Sequence, residues 1–437
     1  MELSKEQKIE SVAKAGGSGG ATRKNTSAEH ALMSANNLIY KVPPDLSVTN
    51  SRKLVKSFFQ QSRYNKNQSA VCIINSGDNM VDGRNSYLQF SVERKATAAG
   101  VSSSWGSGSA LNLINRVTIT TASGVELDRT DSVNLIAYDM LRWTKTTEWF
   151  DTVGSLMGYG EAAKQHTNTS PYNIETYCIP LRYLSGLFST PKMLYSGLMS
   201  GLKIEIAWEN ELTAMKFSGA LASSESYEIV DPCIVLDSHQ FMDYASRVLH
   251  EQSASIEGLE IVFPSYDIVG GILQSTETTL HQASRRAVSQ ANIAWLKSRP
   301  STNIANFAVD SFLSEDNDVK SYQFNLGSLY FPNQPITDKK EMYANALYSW
   351  GQLSKDKLPS VTYGEFAGTG LANDKYAMYP VTIERSTMLE SSGLPLVSGR
   401  ALNVSATFNT GVQRQIDVVL QYTKVVKQFI TYAVVKM

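Results

Sequence analysis

Five histidines, three cysteines and 41 acidic residues are the groups in this chain that could carry chemistry. The histidines are His30, His166, His239, His250 and His281, and none sits in an HExxH spacing. His239, Asp243 and His250 would share a face if residues 237–254 were helical, which is the one arrangement that hints at a metal. The simpler reading of that segment is a solvated linker helix. Cys72, Cys178 and Cys233 are odd in number and show no CxxC spacing. Free, mostly buried thiols in a reducing compartment fit them better than a disulfide framework. Glycine clusters at 106–108, 158–160 and 368–370 complete neither GxGxxG nor GxxxxGK[ST], so they read as loops. There is no GxSxG elbow. Nothing places two carboxylates across a cleft as glycoside hydrolysis requires. The expectation is no catalytic residue, no cofactor-binding residue, no metal ligand and no enzyme activity. Trp105, in a Ser/Gly-rich stretch, has three readings in order of preference. It is an anchor packed on its own domain, a subunit-contact anchor, or a sugar-stacking ring.

The elements that would position such groups are mostly strands. In the block 106–143, Val117 and Ile119 alternate with threonines, 121–124 turns at Gly124, and Val125 and Leu127 alternate with acids. That pattern predicts a hairpin. A helix follows, with Val133, Ile136, Met140 and Trp143 on one stripe. Leu202, Ile204, Ile206 and Trp208 alternate with polar or small residues. Further strands are expected at 86–92, at 229–236, from Leu259 to Phe263 with Pro264 as the stop, and at Tyr322, Phe324 and Leu326. Near the C-terminus Leu402 to Phe408 and Ile416 to Tyr422 both alternate, and Asn409-Thr410-Gly411 predicts a hairpin with Gly411 at positive φ. A second helix is expected from 338 to 350, with Asp338 and Glu341 as a capping box. Trp143, Trp149, Trp208 and Trp295 suit core or domain-interface positions. The stretches 96–109, 144–171, 290–319 and 355–375 are weakly patterned and read as irregular insertions.

A chain of 437 residues exceeds what one core usually fills, so two domains of roughly 200 residues are expected. The formal charge of -1 argues against a body built to grip nucleic acid; weak or no direct binding is expected. No apolar run reaches the roughly 18 residues of a transmembrane span. The first 20 residues are polar and glycine-rich, without a signal core, so synthesis and assembly inside a cell are expected. Residues 1–36 set Lys5, Lys8, Lys14, Arg23 and Lys24 against Glu2, Glu6, Glu10 and Glu29, and read as a flexible arm. No short repeat is present, which excludes a propeller or solenoid. The two halves do not visibly align.

The order of these segments resembles the double jelly-roll major capsid proteins of polinton-like viruses, adintoviruses and virophages. The block 106–143 carries the resemblance first. Ile179-Pro180-Leu181, Gly186-Leu187-Phe188 and Gly201-Leu202-Lys203-Ile204 resemble the turn into a late strand of a first roll. Gly258-Leu259-Glu260-Ile261 with Tyr266 resembles the start of a second roll. Phe324-Asn325-Leu326-Gly327 through Tyr330-Phe331-Pro332 resembles the approach to that roll's inserted helix. The resemblance implies an all-β fold of two tandem eight-stranded jelly rolls with short inserted helices. It implies an arm at 1–36, a first roll at 37–238 and a second at 239–437. It further implies a major capsid protein of an icosahedral DNA-virus shell, found in the virion, whose homotrimers form pseudo-hexagonal capsomers. Its partners would be neighbouring capsomers, penton and minor capsid proteins. The alternatives are a β-sandwich glycan-binding protein or glycosidase, and a penton or minor capsid protein.

Overall fold

The computed structural model describes residues 49–436 apart from 78, 96–101, 160–165, 168–173, 219–225, 242–257, 285, 305, 307–308, 315–318, 354–358, 368–375, 384–392, 397–400 and 430–432. The arm expected at 1–36 lies outside the described residues, as do Asp243 and His250.

Eight strands form the main paths of the two large sheets in the first half: β1 (Thr49–Phe58), β2 (Ser69–Ile74), β3 (Met80–Lys95), β4 (Ile114–Thr120), β5 (Glu126–Thr130), β6 (Ile174–Pro180), β7 (Leu202–Trp208) and β8 (Ser226–Phe241); shorter strands at Arg63–Asn65, Ser102–Trp105, His166–Thr167 and Met215–Ser218 flank them. They form two antiparallel sheets whose main paths run β1-β8-β3-β6 and β2-β7-β4-β5. Eight more form the main paths in the second half: β9 (Leu259–Leu273), β10 (Thr279–Ser284), β11 (Val288–Pro300), β12 (Val319–Leu326), β13 (Leu329–Ile336), β14 (Tyr379–Thr382), β15 (Leu402–Phe408) and β16 (Arg414–Gln428), with short strands at Leu394–Leu396 and Ala433–Lys436 beside them. Their paths run β9-β16-β11-β14 and β10-β15-β12-β13. Each strand therefore occupies the place of the strand eight before it. This order, with first and eighth strands paired in one sheet and second and seventh in the other, is the jelly-roll form of the Greek key. The repeat that the residues conceal is plain in the topology.

Alternation builds the half-buried strands. In β7, Leu202, Ile204, Ile206 and Trp208 are buried and the residues between them are not; β15 follows the same rule. Among the eight main-path strands of each roll, only the fourth and fifth are both consecutive and paired. The first such hairpin, β4–β5, turns through Gly124 at φ +84, and the second, β12–β13, through Gly327 at φ +62. A helix follows the fifth strand in both rolls: α1 (Val133–Thr144) and α2 (Lys339–Ser349). Asp338 caps α2, its carboxylate accepting from the backbone N–H groups of Lys340 and Glu341.

Five expectations are corrected. The C-terminal pair is not a hairpin, because β15 and β16 belong to different sheets. Gly411 is absent from the positive-φ residues; it is needed because a Cβ there would meet the Ser275 carbonyl oxygen at 2.4 Å. Pro264 does not end β9, which continues to Leu273. β9 pairs on its main path only with β16, so an edge position tolerates the missing N–H. Residues 237–241 are strand rather than helix, and β8 runs through the expected boundary at 238/239 to Phe241. Residues 290–300 are no insertion but most of β11.

Candidate functional site: the seam between the rolls

Several buried polar groups gather where the rolls meet, and α1 is their centre. An amphipathic helix buries one stripe; α1 buries nine of its residues, including Asn134 and Asp139. Val133, Ala137 and Leu141 join the core of the first roll, while Ile136 and Trp143 join that of the second. Ile261, Phe263 and Val426, from the second roll, pack in turn into the first core. The Trp143 ring stands 5.9 Å from the rings of both Tyr343 and Phe366.

Charge is paired across this seam. The Asp139 carboxylate, on α1, meets the Lys297 ammonium on β11 and accepts a hydrogen bond of 3.2 Å from the Trp295 indole N–H. The two charged side chains are 4% and 2% exposed. Burial lifts the Asp139 carboxyl above the usual carboxylate range and pulls the Lys297 ammonium down, each opposed by the partner's charge. Lys297 also lies 4.5 Å above the Tyr138 ring. A second buried acid, Asp128 on β5, accepts from the Ser185 and Ser265 hydroxyls and lies 3.8 Å from Lys424 Nζ. Beside them, Arg299 donates to Asp417 at 2.7 and 3.0 Å and to the Ser311 carbonyl at 3.0 Å. Arg142 places its guanidinium 4.7 Å from the Phe150 ring and 4.8 Å from the Tyr376 ring, one from each roll.

Backbone groups close the joint. The last carbonyls of a helix lack intrahelical donors. Ser360, from the second roll, supplies two: its hydroxyl to the Arg142 carbonyl at 3.0 Å and its N–H to the Lys145 carbonyl at 2.8 Å. At Gly186 the two segments approach so closely that a Cβ would stand 1.7 Å from the Pro264 carbonyl oxygen. A cavity of about 240 Å³ remains between α1, residues 182–189, Pro264 and Tyr266. Its lining contains no carboxylate, imidazole or thiol.

The residues singled out for chemistry lie elsewhere. Trp105 is buried in its own roll, donating to the Tyr177 hydroxyl at 2.7 Å with the Arg94 guanidinium 4.1 Å above its ring. That satisfies the own-domain reading and removes the ring from any sugar or subunit. His239 lies on β8, 3.2 Å from Asp237. Among the described residues no group of three or more histidines, cysteines and acids is placed to hold a metal. Cys72 is fully buried, and burial pushes its thiol up to about 12. Asp128, Asp139 and Lys297 were not foreseen. Asp128 falls where the alternation of β5 assigns solvent, and no spacing rule marks the other two.

No protein-family model matches the sequence, and no curated protein matches it. Solved structures do. The chain is similar to the VP54 protein of PBCV-1, fitted into a reconstruction of the virophage Sputnik: TM-score 0.62, 10% identity, covering 91% of this chain and 99% of that one. The Faustovirus major capsid protein gives TM-score 0.59 at 8% identity over 97% of each chain. The fold is a double jelly roll. The mavirus major capsid protein shares it, with TM-score 0.53 at 9% identity over 96% of each chain. In this double jelly roll the seam residues join the two sandwiches.

Proposed function

We infer that this chain is the major capsid protein of an icosahedral DNA virus, with a structural role in the virion. Three copies form a capsomer in which six rolls imitate a sixfold tile. One observation carries the reading: two rolls of identical topology are locked side by side by a buried, charge-paired seam. Relative motion of domains is the default unless their interface is large and hydrophobic; here Ile261, Phe263 and Val426 of the second roll pack into the first core. A cyclic assembly of such pairs tiles a closed lattice with one polypeptide. Weak polar contacts between capsomers, and with penton and minor capsid proteins, would let misplaced units leave and rebind. The formal charge of -1 supports little direct contact with the genome. The glycan-binding alternative loses its best platform with Trp105 buried. The test is light scattering on the purified chain at assembly pH and salt. A species of three times the chain mass of 48.1 kDa is expected. A monomer at every concentration and salt tested refutes the reading.

A further inference from the structure

Close-packed interiors hold few voids larger than a water molecule, yet the seam keeps a cavity of about 240 Å³. It runs along α1. Val133, Ile136, Met140 and Thr144, at steps of three and four, turn one face of the helix toward it, and Lys145 ends the row. From Val133 to Lys145 the helix rises about 18 Å, so the space is long rather than round. Pro264 and Tyr266, on β9, line it as well, so its walls come from both rolls.

Its two ends differ. At the start of the row Val133 and Ile136 are buried. At the other end Lys145 is half-buried, and Arg182, which also lines the cavity, is exposed. One aromatic pair holds these two cations together. The Lys145 ammonium lies 5.8 Å from the Trp149 ring, the Arg182 guanidinium lies 4.9 Å from the Tyr183 ring, and the two rings are 5.8 Å apart. The hydroxyls of the wall are turned into the protein: Thr144 donates to the Met140 carbonyl, Ser185 to Asp128 and Ser189 to the Gly186 carbonyl. Ser360 occupies the Arg142 and Lys145 carbonyls, which would otherwise face an anion at the end of α1. An apolar bore with two cations at its mouth is complementary to one apolar tail carrying an anionic head.

We propose that this cavity binds a straight-chain fatty carboxylate, its tail along α1 and its carboxylate between Arg182 and Lys145. The volume sets the tail length. An apolar cavity of about 150 Å³ takes the six carbons of benzene, so the same packing gives about ten heavy atoms here. A two-chain lipid does not fit. The bound tail would touch α1 and β9 at once, and a ligand of the folded form alone stabilises that form.

Isothermal titration of the full chain with hexanoate, octanoate, decanoate and dodecanoate tests the site. Affinity is expected to rise about fourfold per methylene as far as decanoate and then to level, because the tail has outgrown the bore. Decyltrimethylammonium, with the same tail and the opposite head, is expected to bind about tenfold more weakly or worse, and Arg182→Glu to weaken decanoate by about the same factor. Met140→Trp fills the bore and is expected to abolish binding with circular dichroism unchanged. Arg182→Glu changes only an exposed side chain, so it decides the matter even where the bulkier residue unfolds the seam. An affinity that keeps its slope through dodecanoate, an ammonium that binds as tightly, or decanoate binding unchanged in Arg182→Glu overturns the proposal. So does the absence of saturable binding of decanoate up to about 1 mM. The site lies within one chain, so these outcomes do not depend on whether three copies assemble.

Discussion

Replacing Lys297 with methionine isolates the charge at the seam. Methionine keeps the length of the side chain and removes the ammonium. Asp139, 4% exposed, is then left with the Trp295 indole as its remaining donor among the contacts described above. Breaking a buried ion pair from one side costs about 3–5 kcal/mol, because the surviving charge is desolvated without compensation. For a unit of roughly 200 residues, each kcal/mol moves Tm by about 2–4 °C. Lys297→Met is therefore expected to lower Tm by about 6–20 °C. The deficit has a pH signature. Burial already lifts the Asp139 carboxyl above its ordinary range, and losing the lysine lifts it further. A group with a raised folded pKa stabilises fully below its unfolded value and loses that contribution as pH rises through the folded one. The variant should thus be closest to wild type near pH 4 and furthest from it above neutrality. Adding Asp139→Asn removes the second charge while keeping an acceptor for Trp295, and should recover at least half the loss. Differential scanning calorimetry across pH 4–8 reads all three proteins. A single variant that costs under about 1 kcal/mol, or a double variant no better than the single, would show that the seam is wet and refute the reasoning.

Gly186→Ala drives a methyl into the Pro264 carbonyl and should cost about 1–3 kcal/mol or more; unchanged calorimetry would contradict the close approach. Asp237 is held below the usual carboxylate range: its burial acts upward, but the Arg52 hydrogen bonds at 2.6 and 2.8 Å and neighbouring His239 prevail. A depressed folded pKa gives stability that is present above about pH 3.9 and lost as pH falls through the folded value. Arg52→Gln should therefore flatten the acid limb of urea stability below that pH, and an unaltered limb would sink the assignment. Asp338→Ala removes the cap of α2 and should cost about 1 kcal/mol by urea titration.

Much of this fold was legible because a period-two pattern reports a strand whose two faces meet different surroundings. β7 and β15 have one face in the core and one partly open, and both were plain. β11 was hidden for the converse reason. Its residues Ala294 to Pro300 are all buried, one side by its own core and the other against the first roll, so no alternation survives. Lys297 and Arg299 lie there, paired with Asp139 and Asp417. The loop at 409–411 could not distinguish a hairpin from a corner between sheets, because both need a short turn and a small residue. α1 showed its apolar stripe, but not that Asp139 on another face would be buried by a partner from 158 residues downstream. The conformation of a helix is local, whereas its burial depends on a domain that the local pattern does not contain.

The most direct measurement of the central claim is electron microscopy of the purified oligomer in projection down its symmetry axis. Three chains presenting six similar lobes in a hexagonal outline are expected. A threefold particle with three separate lobes, or any outline in which the two rolls of one chain do not stand abreast, would contradict it.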